Sequence, residues 1–277
     1  MTKQITWGRT CKNLANLVRS CTPPILQKAI GLAPRKTTNT DWLPHQIAEE
    51  PQPARFLIPR TEPNLVWPGF DQIEITMLPR QLRNHLWAMP ENELMVLSSI
   101  CQMLQPKNVF EFGTFTGAST LAIAANTPEQ TQIHTLDIPP EDRRTHITGV
   151  GSDIPFDYVI GESFIGTRWE SKIQMHHQDA RQFDTRPLHK KMDMIFVDSD
   201  HTYDFVKNDT TKATEMLAPG GVILWHDYRW DDDAPECVGV TNLVDEFHQQ
   251  HGRCLEIKGT RFAIYQSSSS EFKEVAA

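Results

Sequence analysis

Val109-Phe110-Glu111-Phe112-Gly113-Thr114-Phe115-Thr116-Gly117-Ala118-Ser119-Thr120-Leu121 is the stretch that decides the fold. Its first four residues, aromatic and β-branched apart from one acid, read as a buried strand. Two glycines four apart then let the backbone turn sharply and approach a ligand closely. Gly117-Ala118-Ser119 opens a helix, whose free N–H groups and positive dipole end face the loop. Such a loop suits a nucleoside that carries a carboxylate or phosphate. The spacing Gly113-x-x-x-Gly117 is not the dinucleotide pattern G-x-G-x-x-G, and no Gly-Lys-Ser/Thr follows to make a P-loop.

Working outward, residues 90–266 alternate helix and strand. Pro90-Glu91-Asn92-Glu93 opens a helix with Leu94, Leu97, Cys101 and Leu104 on one face. Strands are expected at 108–112, 132–137, 172–176, 192–197 and 222–225, with helices at about 117–126, 202–217 and 240–250. Two closing strands, 253–258 and 261–266, flank Gly259-Thr260 and are spaced for a hairpin. The expected architecture is α/β: a Rossmann-like, doubly wound, mostly parallel seven-stranded sheet with an antiparallel edge hairpin. Its ligand should lie at the carboxyl ends of the strands.

Outside that domain the composition changes. In residues 1–33, Trp7, Cys11, Leu14, Leu17, Val18 and Cys21 fall on one side of a helical wheel, with Arg9, Lys12 and Arg19 on the other. A basic amphipathic helix of this kind suits peripheral contact with an anionic membrane, and equally suits packing on the protein's own body or on a sister subunit. Residues 34–89 contain eight prolines and read as an extended connector, with Trp42, Trp67, Phe70 and Trp87 as docking points. Residues 138–171, with Tyr158, Phe164 and Trp169, are placed to be a substrate lid. The Ser- and Glu-rich tail, 267–277, reads as disordered.

Length and charge narrow the function classes. A chain of 277 residues buries a full α/β core with room for an extension. The net charge of -8 is uneven: residues 1–40 carry seven basic side chains and no acid, so the other 237 residues sum to -15. An acidic body argues against nucleic acid as a partner. No stretch reaches membrane-span length, and no apolar secretory segment stands at the start. Five cysteines without a CxxC pair fit free thiols and a cytoplasmic setting.

Three groups of residues are candidates for chemistry. Asp137 ends the second strand, twenty residues after Gly117, where an acid accepts hydrogen bonds from ribose hydroxyls. Asp179 follows the third strand; it suits an adenine amine or, equally, a helix N-cap. The fourth strand ends at Asp198-Ser199-Asp200-His201-Thr202-Tyr203 and the fifth at Trp225-His226-Asp227-Tyr228. In a parallel sheet these ends share a rim, so Asp198, Asp227 and His226 are candidate ligands of one divalent cation. Oxygen-rich ligation suits Mg²⁺ or Mn²⁺, and the imidazole tolerates Mn²⁺ or Zn²⁺. Crowded acids repel one another without a cation, which favours metal over simple capping. Asp231-Asp232-Asp233 reads as a solvated loop and His134 as a core or inter-strand residue.

Together, Glu111-Phe-Gly-Thr-Phe-Thr-Gly-Ala-Ser, Asp137, Asp179, Asp198-Ser-Asp-His-Thr-Tyr, Leu217-Ala-Pro-Gly-Gly-Val and His226-Asp227-Tyr228 resemble the class I S-adenosylmethionine-dependent methyltransferases. Within them the resemblance is to the branch of macrolide-sugar and catechol-type O-methyltransferases. It covers roughly residues 85–266. It implies that Glu111, Gly113, Thr114, Gly117 and Ser119 line the methionine end of S-adenosylmethionine, that Asp137 holds the ribose and that Asp179 holds the adenine. It implies Mg²⁺ (or Mn²⁺) on Asp198 and Asp227, with His226 where relatives more often carry an acid. The implied reaction is O-methylation of a small-molecule or saccharide hydroxyl, with Asp200 or His201 taking the proton. No lysine stands in the rim motifs to serve as base. Asp198-Ser199-Asp200 also matches the D-x-D of metal-dependent glycosyltransferases, which leaves the glycine loop and Asp137 unexplained. A third reading is a non-catalytic scaffold of the same fold. Homo-oligomerisation is compatible with all three.

Overall fold

A computed structural model describes residues 57–82, 88–139, 158–228 and 237–267. All lie in one of the chain's two units, residues 50–277. The basic segment 1–33, Trp42, Trp87, Asp231-Asp232-Asp233 and the tail beyond Ser267 fall outside the described residues.

The strands are β1 (Arg60–Thr61), β2 (Asn108–Phe112), β3 (Gln132–Asp137), β4 (Ile173–His177), β5 (Met192–Val197), β6 (Leu217–Trp225), β7 (Cys254–Ile257) and β8 (Ala263–Gln266). They form one sheet in the order β1-β7-β8-β6-β5-β2-β3-β4. Every neighbouring pair is parallel except those made by β8, which runs antiparallel between β6 and β7. All seven strands read from the sequence are present, and the β7–β8 pair is the antiparallel hairpin. An eighth strand is added: the connector supplies β1, which pairs with β7 and takes the sheet edge. Two residues flanked by Pro59 and Pro63 are too short to show a period-2 pattern.

The helices are α1 (Pro63–Val66), α2 (Glu91–Leu104), α3 (Ala118–Ala125), α4 (Tyr203–Met216) and α5 (Val238–His251). Alternate strand residues feed two cores, one on each face of the sheet. Phe110, Phe112, Ile195, Val197, Ile223 and Trp225 pack with Val206 and Ala213 of α4 and Val240, Val244 and Phe247 of α5. Val109, Met194, Phe196, Val222 and Leu224 pack with Leu94, Leu97 and Cys101 of α2 and Ala122 of α3. This is the doubly wound arrangement, with helices covering both faces of a parallel sheet.

Two consequences position the site. First, α2 precedes β2 and returns along it, so its first turn lies at the carboxyl-end rim of the strands. Second, the connector is part of the domain. Trp67 and Phe70 stack at 5.8 Å and pack with Val66 and Met77 against the α2 core. Ile58 is buried in the α5 core, and Arg60 holds the buried Glu256 with Nε at 2.7 Å and Nη2 at 2.5 Å from Oε1.

Candidate active site

The glycine loop is built around Glu111. That carboxylate is fully buried, and its oxygens accept hydrogen bonds from Ser119 Oγ (2.6 Å), Thr120 Oγ1 (2.5 Å) and Thr135 Oγ1 (2.6 Å). Thr114 Oγ1 in turn shares a hydrogen bond with Thr135 Oγ1 at 2.7 Å. Burial pushes the Glu111 carboxyl up to about 7; the three hydroxyls oppose the rise, and the charge of Asp198 adds to it. Glu111 and Ser119 therefore lock β2, β3 and the start of α3 together from beneath the loop.

Gly113 is required by its neighbours. Its φ is +94°, and a Cβ there would lie 2.0 Å from the carbonyl oxygen of Asp198. Only a residue without a side chain lets the loop lie this close to the end of β5. At Gly117 (φ +79°) a Cβ would meet the Phe164 ring at 2.7 Å. Between them Phe115 adopts φ 48°, an uncommon value for a bulky residue. Its N–H donates to Asp137 Oδ2 at 2.7 Å, so the acid read as a ribose ligand also braces the loop.

The described part of the lid segment is tied to this loop. Gly161 N–H donates to Phe115 O (2.9 Å) and Ser163 N–H to Thr116 O (2.8 Å). Phe164 is buried against Gly117, and Trp169 packs on the α2 core under the Arg168 guanidinium. Of the three lid aromatics, these two serve packing. Tyr158 lies against Phe115 with ring centroids 4.4 Å apart. Residues 140–157 of the segment lie outside the described residues.

Asp179 is nearly buried and accepts from the Arg181 backbone N–H at 2.8 Å, with Arg181 Nη2 2.6 Å from its Oδ2. It begins the turn after β4, with Phe183 N–H donating to its carbonyl. His134 is an inter-strand residue, its Nδ1 3.1 Å from His176 Nε2.

The ends of β5 and β6 do share a rim. One ligand atom each from Asp198, His226 and Asp227 lies within 4.8 Å of the others, and a second such group is His201, Asp227 and Cys237. His226 Nδ1 is 3.1 Å from Asp198 Oδ1 and 3.0 Å from Asp227 Oδ2. His201 Nε2 is 3.0 Å from Asp227 Oδ2. Asp227 is held at φ 58°, a strained conformation at the point where three side chains meet. Two carboxylates and an imidazole fit a divalent cation.

Two residues at this rim carry no signal in the sequence. Glu93, in the first turn of α2, places Oε2 2.7 Å from His226 Nε2. Arg261, just before β8, donates its backbone N–H to Glu93 Oε1 at 2.8 Å and sets Nη1 2.6 Å from Asp227 Oδ1. That ion pair lies off the hydrogen-bond axis, so the buried Asp227 Oδ1 has a nearby charge but no directed donor. The rim is therefore not a set of unopposed acids: Arg261 and the two imidazoles counter part of the repulsion expected from the sequence.

The charges follow from this crowding. For His226, burial opposes protonation, but Asp198 and Asp227 prevail and raise its pKa well above the ordinary histidine value. For Asp227, burial favours the neutral form, but His226 and His201 hold it well below the usual carboxylate range. Glu93 is lowered in the same way: burial is outweighed by His226 and Arg261. His201 is raised, burial being outweighed by its hydrogen bond to Asp227.

The two candidate bases separate here. Asp200 Oδ1 accepts both the backbone N–H (2.7 Å) and Oγ1–H (2.6 Å) of Thr202, the residue just before α4. Its carboxylate does not join Asp198, so no D-x-D pair forms. His201 stands on the rim, partly exposed.

The fold that carries this glycine loop, closed by an acid at the next strand end, is shared with known proteins. Residues 110–228 match the family described as methyltransferase domain. Over that span the chain is similar to the methyltransferases that bind S-adenosylmethionine. The chain is 25% identical over 190 residues to a caffeoyl-CoA O-methyltransferase from Populus kitakamiensis, covering 64% of this chain and 74% of that one. It is 30% identical over 141 residues to one from Stellaria longipes, covering 49% and 52%. The chain thus spans between about half and three-quarters of these relatives. Among solved structures it resembles the O-methyltransferase TomG from Streptomyces achromogenes in complex with SAM (14% identity, TM-score 0.51, covering 72% and 94%). It also resembles the O-methyltransferase from Bacillus cereus in complex with SAH (15%, TM-score 0.50, covering 70% and 92%). At these identities the structures show a shared fold.

Proposed function

We propose that the protein is a methyltransferase that transfers the methyl group of S-adenosylmethionine to a hydroxyl of a small molecule or saccharide, assisted by a divalent cation. The observation that carries this reading is the convergence of Asp198, His226 and Asp227 on one rim beside the glycine loop. The curated relatives named above, which act as caffeoyl-CoA O-methyltransferases by name, support oxygen as the acceptor atom.

In this reading S-adenosylmethionine supplies the electrophilic methyl group, and a cation on the rim lowers the pKa of an acceptor hydroxyl. Gly113 and Gly117 let the backbone approach the cofactor, and Asp137 receives its ribose hydroxyls. Tyr158 and Phe115 wall the loop. His201 takes the acceptor's proton on its other ring nitrogen, Nδ1, because Nε2 faces Asp227 and Asp200 is engaged by Thr202. The residues' main contribution is alignment of oxygen and methyl carbon.

Calorimetric titration with S-adenosylmethionine, with and without Mg²⁺ or Mn²⁺, tests this on wild type and Asp137→Ala. Binding by wild type that Asp137→Ala loses, followed by methylation of catechol or sugar acceptors only with metal, is expected. Equal turnover after chelation would remove the cation from the reading. No cofactor binding in wild type would overturn it.

A further inference from the structure

Glu93 lies 133 residues from His226 in sequence and hydrogen-bonded to it in space. Only 3% of Glu93 and 5% of His226 are exposed. An ionised carboxylate can only accept, so the hydrogen between Glu93 Oε2 and His226 Nε2 belongs to the imidazole. The other oxygen, Oε1, is already committed to the Arg261 backbone N–H. Phe196 and Phe262 pack against the imidazole, with ring centroids 6.4 Å and 5.4 Å away. The ring can neither turn nor exchange its Nε2 partner without breaking this set.

Nδ1 is therefore the atom His226 presents to the rim. Two carboxylate oxygens, from Asp198 and Asp227, converge on it at 3.1 Å and 3.0 Å. A ring nitrogen has one in-plane direction for a hydrogen or a lone pair. Two acceptors aimed at one such nitrogen describe the vertices of a cation site, with a proton as the filler when no cation is bound. A histidine ligand whose far N–H is held by a carboxylate is oriented and made a better donor.

Building on the cation-assisted reading above, we propose that Glu93 is a positioning residue that fixes His226 as an Nδ1 ligand. The rim then offers one nitrogen and two carboxylate donors, a set suited to a transition divalent cation such as Mn²⁺. Glu93 touches neither substrate nor cofactor; it acts through His226.

Glu93→Gln tests this with little change of shape. The Arg261 N–H needs an acceptor at Oε1, so the glutamine oxygen stays there and its NH₂ faces His226. An amide NH₂ donates only, so His226 must move its hydrogen to Nδ1 and turn it toward the cation site. The experiment is Mn²⁺ titration by electron paramagnetic resonance on both full-length proteins, with S-adenosylmethionine affinity measured beside it. Expected is one tightly bound Mn²⁺ in wild type, weakened about ten- to hundredfold in Glu93→Gln, with cofactor affinity unchanged. Equal Mn²⁺ affinity in the two proteins would overturn the role of Glu93 and leave the cation reading standing. No Mn²⁺ bound by wild type would overturn the cation reading and this proposal with it. If the variant also loses cofactor binding, ¹⁵N spectra of Zn²⁺-loaded wild type decide: hydrogen on Nε2 of His226 supports the proposal, and hydrogen on Nδ1 overturns it.

Discussion

Gly113 and Glu111 stand two residues apart and constrain the loop in opposite ways. Gly113 is fixed by space, since Asp198 leaves no room for a methyl group and the backbone is left-handed there. Gly113→Ala is expected to destabilise the fold by on the order of 3 kcal/mol, from overpacking and backbone strain together. Urea unfolding would measure this, and an unchanged midpoint would show that the end of β5 yields easily. Glu111 is fixed by charge. Its native pKa, about 7, lies above the ordinary value of 4.5, so the folded state prefers the protonated form. Its contribution is fully present below pH 4.5 and is lost as pH rises through about 7. Glu111→Gln keeps the shape and removes the titration, and the three hydroxyls can rotate to suit an amide. The melting temperature of the variant should therefore gain on wild type between about pH 5 and pH 8. A constant difference across that range would mean that the carboxylate is better solvated than its burial implies.

The start of α4 separates two neighbouring side chains by the direction each takes. Asp200 is bonded by Thr202, the residue just before the helix, while His201 points to Asp227. Asp200→Ala removes two exposed hydrogen bonds, so it should cost about 1 kcal/mol of stability and change kcat little. His201→Ala should leave stability and cofactor affinity near wild type and lower kcat about a hundredfold or more. The reverse pattern in stopped assays would return the proton to Asp200. Elements such as α4 were legible because their apolar residues recur with the helical period, and β2, β3, β5 and β6 because buried parallel strands read as apolar runs. The acids at their ends were legible because strand ends in this topology face one rim. The partner of His226 was not. An acid in a helix's first turn reads as a dipole complement, and nothing in a linear pattern aligns Glu93 with an arginine 168 residues later. Phe164 of the lid segment misleads in the other direction. Aromatics in a long connection suggest a binding surface, yet Phe164 fills the space that Gly117 leaves.

At the scale of the whole molecule, the connector closes the sheet on the side away from the cofactor loop. β7 would otherwise be an edge strand with open N–H and C=O groups, and β1 covers it. The same short segment reaches the rim through Tyr228, which directly follows Asp227. Tyr228 Oη donates to Asp245 Oδ1 at 2.7 Å, and that oxygen also accepts from the Leu57 N–H at 2.9 Å. The proline-rich stretch read as a docked connector is thus bonded to the helix and loop that hold the rim. Two truncations isolate this effect, one beginning at residue 57 and one at residue 63. Only the second loses Ile58, β1 and the Arg60 pair with buried Glu256. Relative to the first, it should unfold several degrees lower, because an apolar anchor goes and a buried carboxylate loses its cation. It should also aggregate more readily in light scattering through the uncovered β7. Its cation affinity should fall as well, since Asp227 is held in a left-handed conformation beside Tyr228. If both truncations melt together, β1 is an ornament on a sheet that β7 already ends. If they differ in melting temperature but not in Mn²⁺ affinity, the edge and the rim are independent, and His201, His226 and Arg261 hold Asp227 in place without the connector.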